Sequence, residues 1–90
     1  MIVLKRLKRL ADSFRARDDA GRDFHVKVYV DVVSGVTAGG GTWEAEGPPT
    51  VLARPLTGPW AGLVLAADWT GGDAYRVTAG GRERTVVRVR

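Results

Sequence analysis

The chain contains no cysteine and only one histidine, His25, among its 90 residues. A domain of this size buries only about 60–65% of the surface of its unfolded chain. Such small folds are commonly reinforced by disulfides, a structural metal or oligomerisation. Disulfides need cysteine, and zinc sites built from Cys and His need several such ligands, so both are excluded. We therefore expect one domain, residues 1–90, that is stabilised by protein neighbours, with homo-oligomers included.

Long apolar runs are also missing. The longest largely apolar stretch, Trp60 to Ala67, is far shorter than the roughly 20 residues that a membrane-spanning helix needs. The apolar start Met-Ile-Val is too short for the core of a secretory signal. These two features predict no membrane partner and no secretion by a signal peptide. The net charge of +4 is compatible with an anionic partner, although a modest excess of cations also serves solubility.

The first segment, residues 2–17, carries apolar residues at steps of four, three and four. At about 100° per residue these residues form one stripe, which predicts an amphipathic α-helix over 2–17. The cations of the segment would form its polar side, and the stripe would dock on a partner or on the rest of the domain. The stripe consists of Val3, Leu7, Leu10 and Phe14.

From residue 24 the period changes to two. In FHVKVYVDVV, Phe24 and the valines at every second position share one face, which is typical of a half-buried strand. Five shorter strand candidates follow, separated by Gly- and Pro-rich turns: 42–46, 50–54, 62–69, 73–79 and 82–90. Six short strands at this spacing predict a mainly β domain over 24–90, an antiparallel barrel or sandwich, preceded by the helix.

The last hairpin can be tested for register. A three-residue loop, Ala79–Gly81, would place Val77 and the valines at 87 and 89 on one face and the arginines on the other, so we expect that register. The arginines would then form a solvated edge or a cationic stripe for an acidic surface or a nucleic-acid backbone. With the helix, the expected basic surface comprises Lys5, Arg6, Lys8, Arg9, Arg76, Arg84, Arg88 and Arg90.

No pattern of catalytic, cofactor-binding or metal-ligating residues emerges. A catalytic His25 would need a nucleophile within reach. The two serines, Ser13 and Ser34, fall at the end of the predicted helix and in a glycine loop, so we interpret His25 as a surface or partly bonded residue. The three tryptophans are expected in the core or at a protein interface, since segments with few cations surround them. They are Trp43, Trp60 and Trp69.

The C-terminal stretch GGDAYRVTAGGRERTVVRVR resembles the closing hairpin of small β-barrel head-completion or stopper proteins of tailed bacteriophages. The resemblance covers only about the last twenty residues and implies a non-enzymatic virion component, assembled in the host cytoplasm, that works as one copy in a ring or shell. The positions that carry it are Gly72, Asp73, Val77, Gly80, Gly81, Val86, Val87 and Val89.

Two functional hypotheses follow. The first is a structural protein, without cofactor or small-molecule substrate, that docks onto larger neighbours as a capsid, head–tail or decoration component. Its thin core and its glycine-rich loops favour this hypothesis, because such loops gain order when a partner covers them. The alternative is a small nucleic-acid-binding barrel that uses the basic helix and the final arginine strand, with an affinity that falls steeply with salt.

Overall fold

The fold is a closed antiparallel barrel. The computed structural model describes residues 3–90, with the side chains of Val3 and Ala79 outside the described part. The strands pair in chain order, and the last returns to the first. The prediction of a mainly β, six-stranded antiparallel fold is confirmed, and it is a barrel. The strands are β1 (Val3–Asp18), β2 (Asp23–Val36), β3 (Thr42–Pro55), β4 (Leu65–Gly71), β5 (Ala74–Ala79) and β6 (Arg82–Arg88).

The N-terminal helix prediction is wrong. Residues 3–18 form the longest strand, and no helix occurs among residues 3–90. β1 pairs with β2 from Val3 to Arg17, so the backbone donors and acceptors on that side of β1 are used between strands and not within a helix. The steps of three and four arise because β1 exposes both faces over its first half. Leu4 and Leu7, which lie on opposite faces, are 63% and 56% exposed.

Strand lengths divide the molecule into two regions. β1, β2 and β3 have 14 to 16 residues, whereas β4, β5 and β6 have six or seven. β4 pairs with β3 only at 51–53, and β6 pairs with β1 only at 16–18. The far halves of the long strands therefore leave the barrel as a three-stranded sheet, which we call the arm (residues 3–10, 29–36 and 42–49). It makes the molecule 56 Å long against 24 and 18 Å across.

Two β-bulges lie where the arm begins. β1 has one extra residue, Ala11, between Leu10 and Asp12. β3 has an extra residue at Gly47–Pro48, between its pairings with Val30 and Val32. Bulges bend and twist a strand, which lets the arm diverge from the barrel. The Gly-Pro-Pro segment was predicted to separate two strands, and instead it lies inside one.

The barrel interior holds a small core. The even-numbered residues of β2 from Phe24 point inward, as predicted, and Phe24 and Val26 are buried. Val77 and Val86 face them from β5 and β6 and are 0% exposed. Val28, Leu65 and Tyr75 pack around this cluster, which contains Phe14, Ala16, Phe24, Val26, Val51, Ala53, Ala67, Val77 and Val86.

The register predicted for the β5–β6 hairpin is also wrong. Gly80 and Gly81 form a two-residue turn with φ of 59° and 75°, the conformation that matches hairpin twist and favours glycine. Val77 is therefore opposite Arg84, which reverses the faces of β6. Val87 is 48% exposed, whereas Arg84 lies on the inward side.

Ion pairs explain why arginines occupy inward positions of β6. Arg84 lies 3.5 Å from the carboxylate of Asp18, whose side chain is 0% exposed, and its guanidinium is 5.9 Å from the ring centre of Trp60. Asp18 also accepts hydrogen bonds from the backbone N–H groups of Ala20 and Arg22. The end of the barrel that faces away from the arm is thus closed by a charged pair under an indole ring.

Candidate interaction surface

The two faces of the arm follow from its register, because directly opposed residues on neighbouring strands point to the same side. The inner arm face continues the barrel interior, and the outer arm face continues the barrel surface. The inner arm face carries Lys5, Leu7, Arg9, Val30, Val32, Ser34, Glu44 and Glu46. The outer arm face carries Leu4, Arg6, Lys8, Leu10, Tyr29, Asp31, Val33, Gly35, Trp43 and Ala45.

A cross-strand bridge organises the inner arm face. Arg9 on β1 reaches across β2 to both glutamates of β3: it hydrogen-bonds Glu46 and lies 3.5 Å from Glu44. The side chains are about half exposed, so each contact contributes little stability in water. Val32 lies between Leu7 and Glu46 on this face and is 3% exposed.

The outer arm face combines aromatic rings with cations. Trp43 lies directly opposite Gly35, and its ring covers that glycine so closely that an added Cβ would be 2.7 Å from the ring. Tyr29 is opposite Leu10, and Lys8 and Arg6 continue along β1 towards the arm tip. Aromatic and cationic side chains thus share one sheet face, an arrangement that the sequence analysis did not predict.

Both long edges of the arm lack a strand partner within residues 3–90. β1 pairs only with β2 until it reaches β6 near Arg15. β3 pairs only with β2 until it reaches β4 at Val51. Unpaired edges present backbone N–H and C=O groups that can pair with another strand. Pro48 and Pro49 block part of the β3 edge near the barrel, because proline has no N–H.

Large apolar side chains are exposed along β1. Leu4, Leu7 and Leu10 are 63%, 56% and 49% exposed. A single exposed leucine is ordinary, but several together on an uncovered sheet are typical of an interaction surface. The arm is therefore the candidate functional site.

The predicted docking residues are dispersed in the structure. Leu7, Leu10 and Trp43 all lie on the arm. Phe14 is a core residue, 8% exposed, so it docks on the barrel itself. The side chain of Val3 lies outside the described part.

The other two tryptophans lie at opposite ends of the barrel. The ring of Trp60 lies against the β5–β6 turn, where a Cβ on Gly80 would be 2.5 Å away. Trp69 is 63% exposed at the end near the arm, and its indole N–H donates to the carbonyl of Gly72 at 2.9 Å. The three tryptophans therefore do not form one surface.

The predicted basic surface divides into two groups. The four predicted arginines at the C-terminal end of the chain each have an acidic partner, so they do not form a cationic stripe. Arg76 is opposite Thr85 and not beside Arg84. By contrast, no ion pair within the described residues involves the arm cations Lys5, Arg6 or Lys8. The partners are Asp68 for Arg76, Asp18 for Arg84, Asp12 for Arg88 and Asp73 for Arg90.

A serine–histidine contact on the barrel surface was not expected. Ser13 Oγ lies 2.7 Å from His25 Nε2, so the assumption that no serine lies near His25 is wrong. The residues directly opposite His25 on its two neighbouring strands are Arg15 and Arg54. A catalytic serine needs a histidine oriented by a carboxylate and donors for an oxyanion. Cations occupy those neighbouring positions here, so the pair is a surface hydrogen bond.

A groove of about 770 Å³ runs between the end of β1 and β6. Its lining mixes Arg17 and Arg82 with Asp19 and Glu83, so it has no single charge preference. The described residues contain no group of three or more His, Cys, Asp or Glu side chains placed to hold a metal ion. They also contain no helix long and apolar enough to cross a membrane.

No protein-family model, curated protein sequence or solved structure matches this chain.

Proposed function

We propose that the protein is a non-enzymatic assembly component that binds its neighbours through the arm, and that the assembly it serves is a virion. The geometry of the arm supports the first part of the proposal, binding to neighbours. The resemblance of the C-terminal hairpin to phage head-completion and stopper proteins motivates the second.

The arm supports an assembly role because no other part of residues 3–90 covers its faces or pairs with its edges. A sheet in a folded domain ordinarily packs at least one face against another layer. Within 4–10, 29–36 and 42–49, only Val32 and Gly35 are buried. Within residues 3–90, both edges also lack a strand partner. A neighbour that covers the leucines of β1 and pairs with an edge would remove apolar surface from water and satisfy backbone groups.

A second candidate function, nucleic-acid binding, is favoured by the outer arm face. Proteins that bind single strands combine exposed aromatic rings, on which bases stack, with cations along the backbone. Arg6, Lys8, Tyr29 and Trp43 supply both groups on one face. The predicted C-terminal arginines, Arg76, Arg84, Arg88 and Arg90, add nothing to this surface, since each is paired with an acid.

Site-specific photo-crosslinking tests the proposed function. A benzophenone amino acid replaces Leu4 on the arm or, as a matched control, Arg54 on the barrel surface, in the cells that make the protein. We expect discrete protein adducts from position 4 and few from position 54. Nucleic-acid adducts from position 4 would favour the second candidate, and the absence of adducts from position 4 would contradict both.

A salt titration separates the two candidates in vitro. Nucleic-acid binding predicts a binding constant for single-stranded DNA whose logarithm falls linearly with the logarithm of the salt concentration, with a slope set by the number of phosphates engaged. The assembly proposal predicts no such binding at physiological salt. Tight DNA binding with a steep slope would overturn it.

A further inference from the structure

The two free edges of the arm carry opposite charge. Residues 3–11 of β1 include four cations and no acid, whereas residues 42–50 of β3 include two acids and no cation. Edge strands commonly carry charge to discourage pairing with copies of themselves. Two β1 edges would therefore repel each other, whereas a β1 edge would attract a β3 edge. Glu44 and Glu46 already contact Arg9 of their own chain, but more than half of each side chain stays exposed to a neighbour.

The symmetry of possible contacts between copies follows from this charge pattern. A two-fold contact would bring β1 against β1 or β3 against β3, and so place like charges together, which is destabilising across strands. The prolines at 48 and 49 lack N–H groups and so restrict pairing of the β3 edge, with any partner strand, to the residues before them. A head-to-tail contact instead places the basic edge of one copy beside the acidic edge of the next.

We propose that copies of this chain associate head to tail, with the free β1 edge of one arm pairing with the free β3 edge of the next. This inference rests on the proposed assembly function and names its partner as a second copy. β1 and β3 run in the same direction, because each is antiparallel to β2. If successive copies are related by rotation about an axis along the strands, the new pair is parallel.

Side chains at the arm tip fit such a junction. Leu4 and Trp43 lie on the same face, opposite the same residue of β2, Gly35. When one arm continues into the next, Trp43 of one copy comes beside the β1 leucines of its neighbour on that face. Repetition of one such contact closes a ring or extends into a filament, depending on the rotation between copies.

Charge-reversal complementation tests the inference. One variant, Lys5→Glu/Arg6→Glu/Lys8→Glu, makes the β1 edge acidic and leaves the Arg9 bridge intact. The other, Thr42→Lys/Glu44→Lys, makes the β3 edge basic and keeps the Arg9–Glu46 contact. A matched control, Arg22→Glu/Arg54→Glu/Arg82→Glu, reverses three exposed charges on the barrel. Masses are measured by light scattering, with circular dichroism as the check on folding.

We expect the wild type and the control to form particles with masses that are multiples of the 9.7 kDa chain. Each edge variant alone should associate about 100-fold more weakly, since like charges across an interface cost several kcal/mol. An equimolar mixture of the two edge variants should regain association, because alternating copies restore opposite charge at every junction.

Three results would overturn the inference: a monomeric wild type at all accessible concentrations, edge variants that associate as the wild type does, or folded variants that fail to associate when mixed. Failure here is distinguishable from failure of the proposed function. Crosslinks from position 4 to other proteins, together with a monomeric wild type, would retain the assembly role and remove the copy-to-copy contact. Loss of DNA binding in the β1 variant alone would assign the basic edge to nucleic acid.

Discussion

The barrel and the arm use the same three strands in different ways. Among the residues whose burial the structure describes, eleven are buried in the barrel, whereas only Val32 and Gly35 are buried in the arm. Closure of a sheet removes its edges. The backbone groups of the barrel are therefore paired even though its strands are short and its core is small. The arm keeps two edges and two open faces. The difference shows that the strand segments beyond the barrel add little to the core, which is the reason for proposing them as a contact surface.

The largest effect is expected from truncating the barrel core. Phe24 is 3% exposed, and Phe24→Ala should cost about 3–5 kcal/mol of the free energy of unfolding. Since small domains have only about 5–15 kcal/mol in total, we expect a large drop in the denaturant midpoint. Leu7→Ala on the arm, measured by the same urea titration, should change stability by less than about 1 kcal/mol. Equal losses of unfolding free energy in the two variants would contradict the distinction between barrel and arm.

A smaller loss is expected from Arg84→Met at the closed end of the barrel. The variant leaves the buried Asp18 carboxylate without its cation, which typically costs about 3–5 kcal/mol. Arg84 keeps 20% of its side chain exposed and lies 3.5 Å away, so we expect about 2–3 kcal/mol. The double variant Asp18→Asn/Arg84→Met should recover part of the loss in thermal unfolding. No recovery would mean that Arg84 acts through packing on Trp60 alone.

Substitution at Gly35 tests the arm with little effect on the barrel. Its Cβ would lie 2.7 Å from the ring of Trp43, so Gly35→Ala should displace that ring and change tryptophan fluorescence. Stability should fall by less than about 1 kcal/mol, but association between copies should weaken. Gly39→Ala is the matched control, because a Cβ there meets nothing within 4 Å. A normal association of Gly35→Ala would exclude Trp43 from the contact.

The smallest effect concerns pH. The hydrogen bond from Arg90 lowers the pKa of the Asp73 carboxyl below its usual value of about 3.8, against some opposition from desolvation. A lowered pKa in the folded state stabilises the protein above the unfolded pKa, and this contribution is lost as the pH falls through the folded value. Arg90→Gln should therefore raise the pKa of Asp73, as followed by carboxyl NMR titration below about pH 4. Arg54→Gln should leave that titration unchanged, and a similar shift in both variants would exclude the specific contact.

Some of the fold was predictable from sequence. β2 alternates strictly because one face meets the barrel core along its first half, and its predicted face is confirmed. The positions of glycine and proline in the sequence correctly predicted most of the turns. The exception is Gly47–Pro49, where an edge bulge accommodates the prolines because no strand needs their N–H groups on that side.

The errors arose where tertiary contacts override local pattern. In β1, the bulge at Ala11 shifts the alternation, and the open arm allows leucines on both faces, so strand spacing resembled a helical period. In β6, a buried Asp18 at the far end of β1 draws Arg84 inward, which the hairpin alone cannot indicate. The opposite charges of the two arm edges could not be predicted from sequence, because only the fold shows that β1 and β3 lie on either side of β2.

Hydrogen–deuterium exchange, measured as a function of protein concentration, tests the central claim most directly: the barrel holds itself together, and the arm edges are completed by a second copy. We predict that barrel amides in β4, β5 and β6 are protected at all concentrations. The amides in 3–10 and 42–46 that point away from β2 should exchange rapidly in dilute protein and become protected as copies associate, while those of 29–36 change little. Arm edges that are fully protected in the monomer, or that never gain protection in the associated form, would contradict this account.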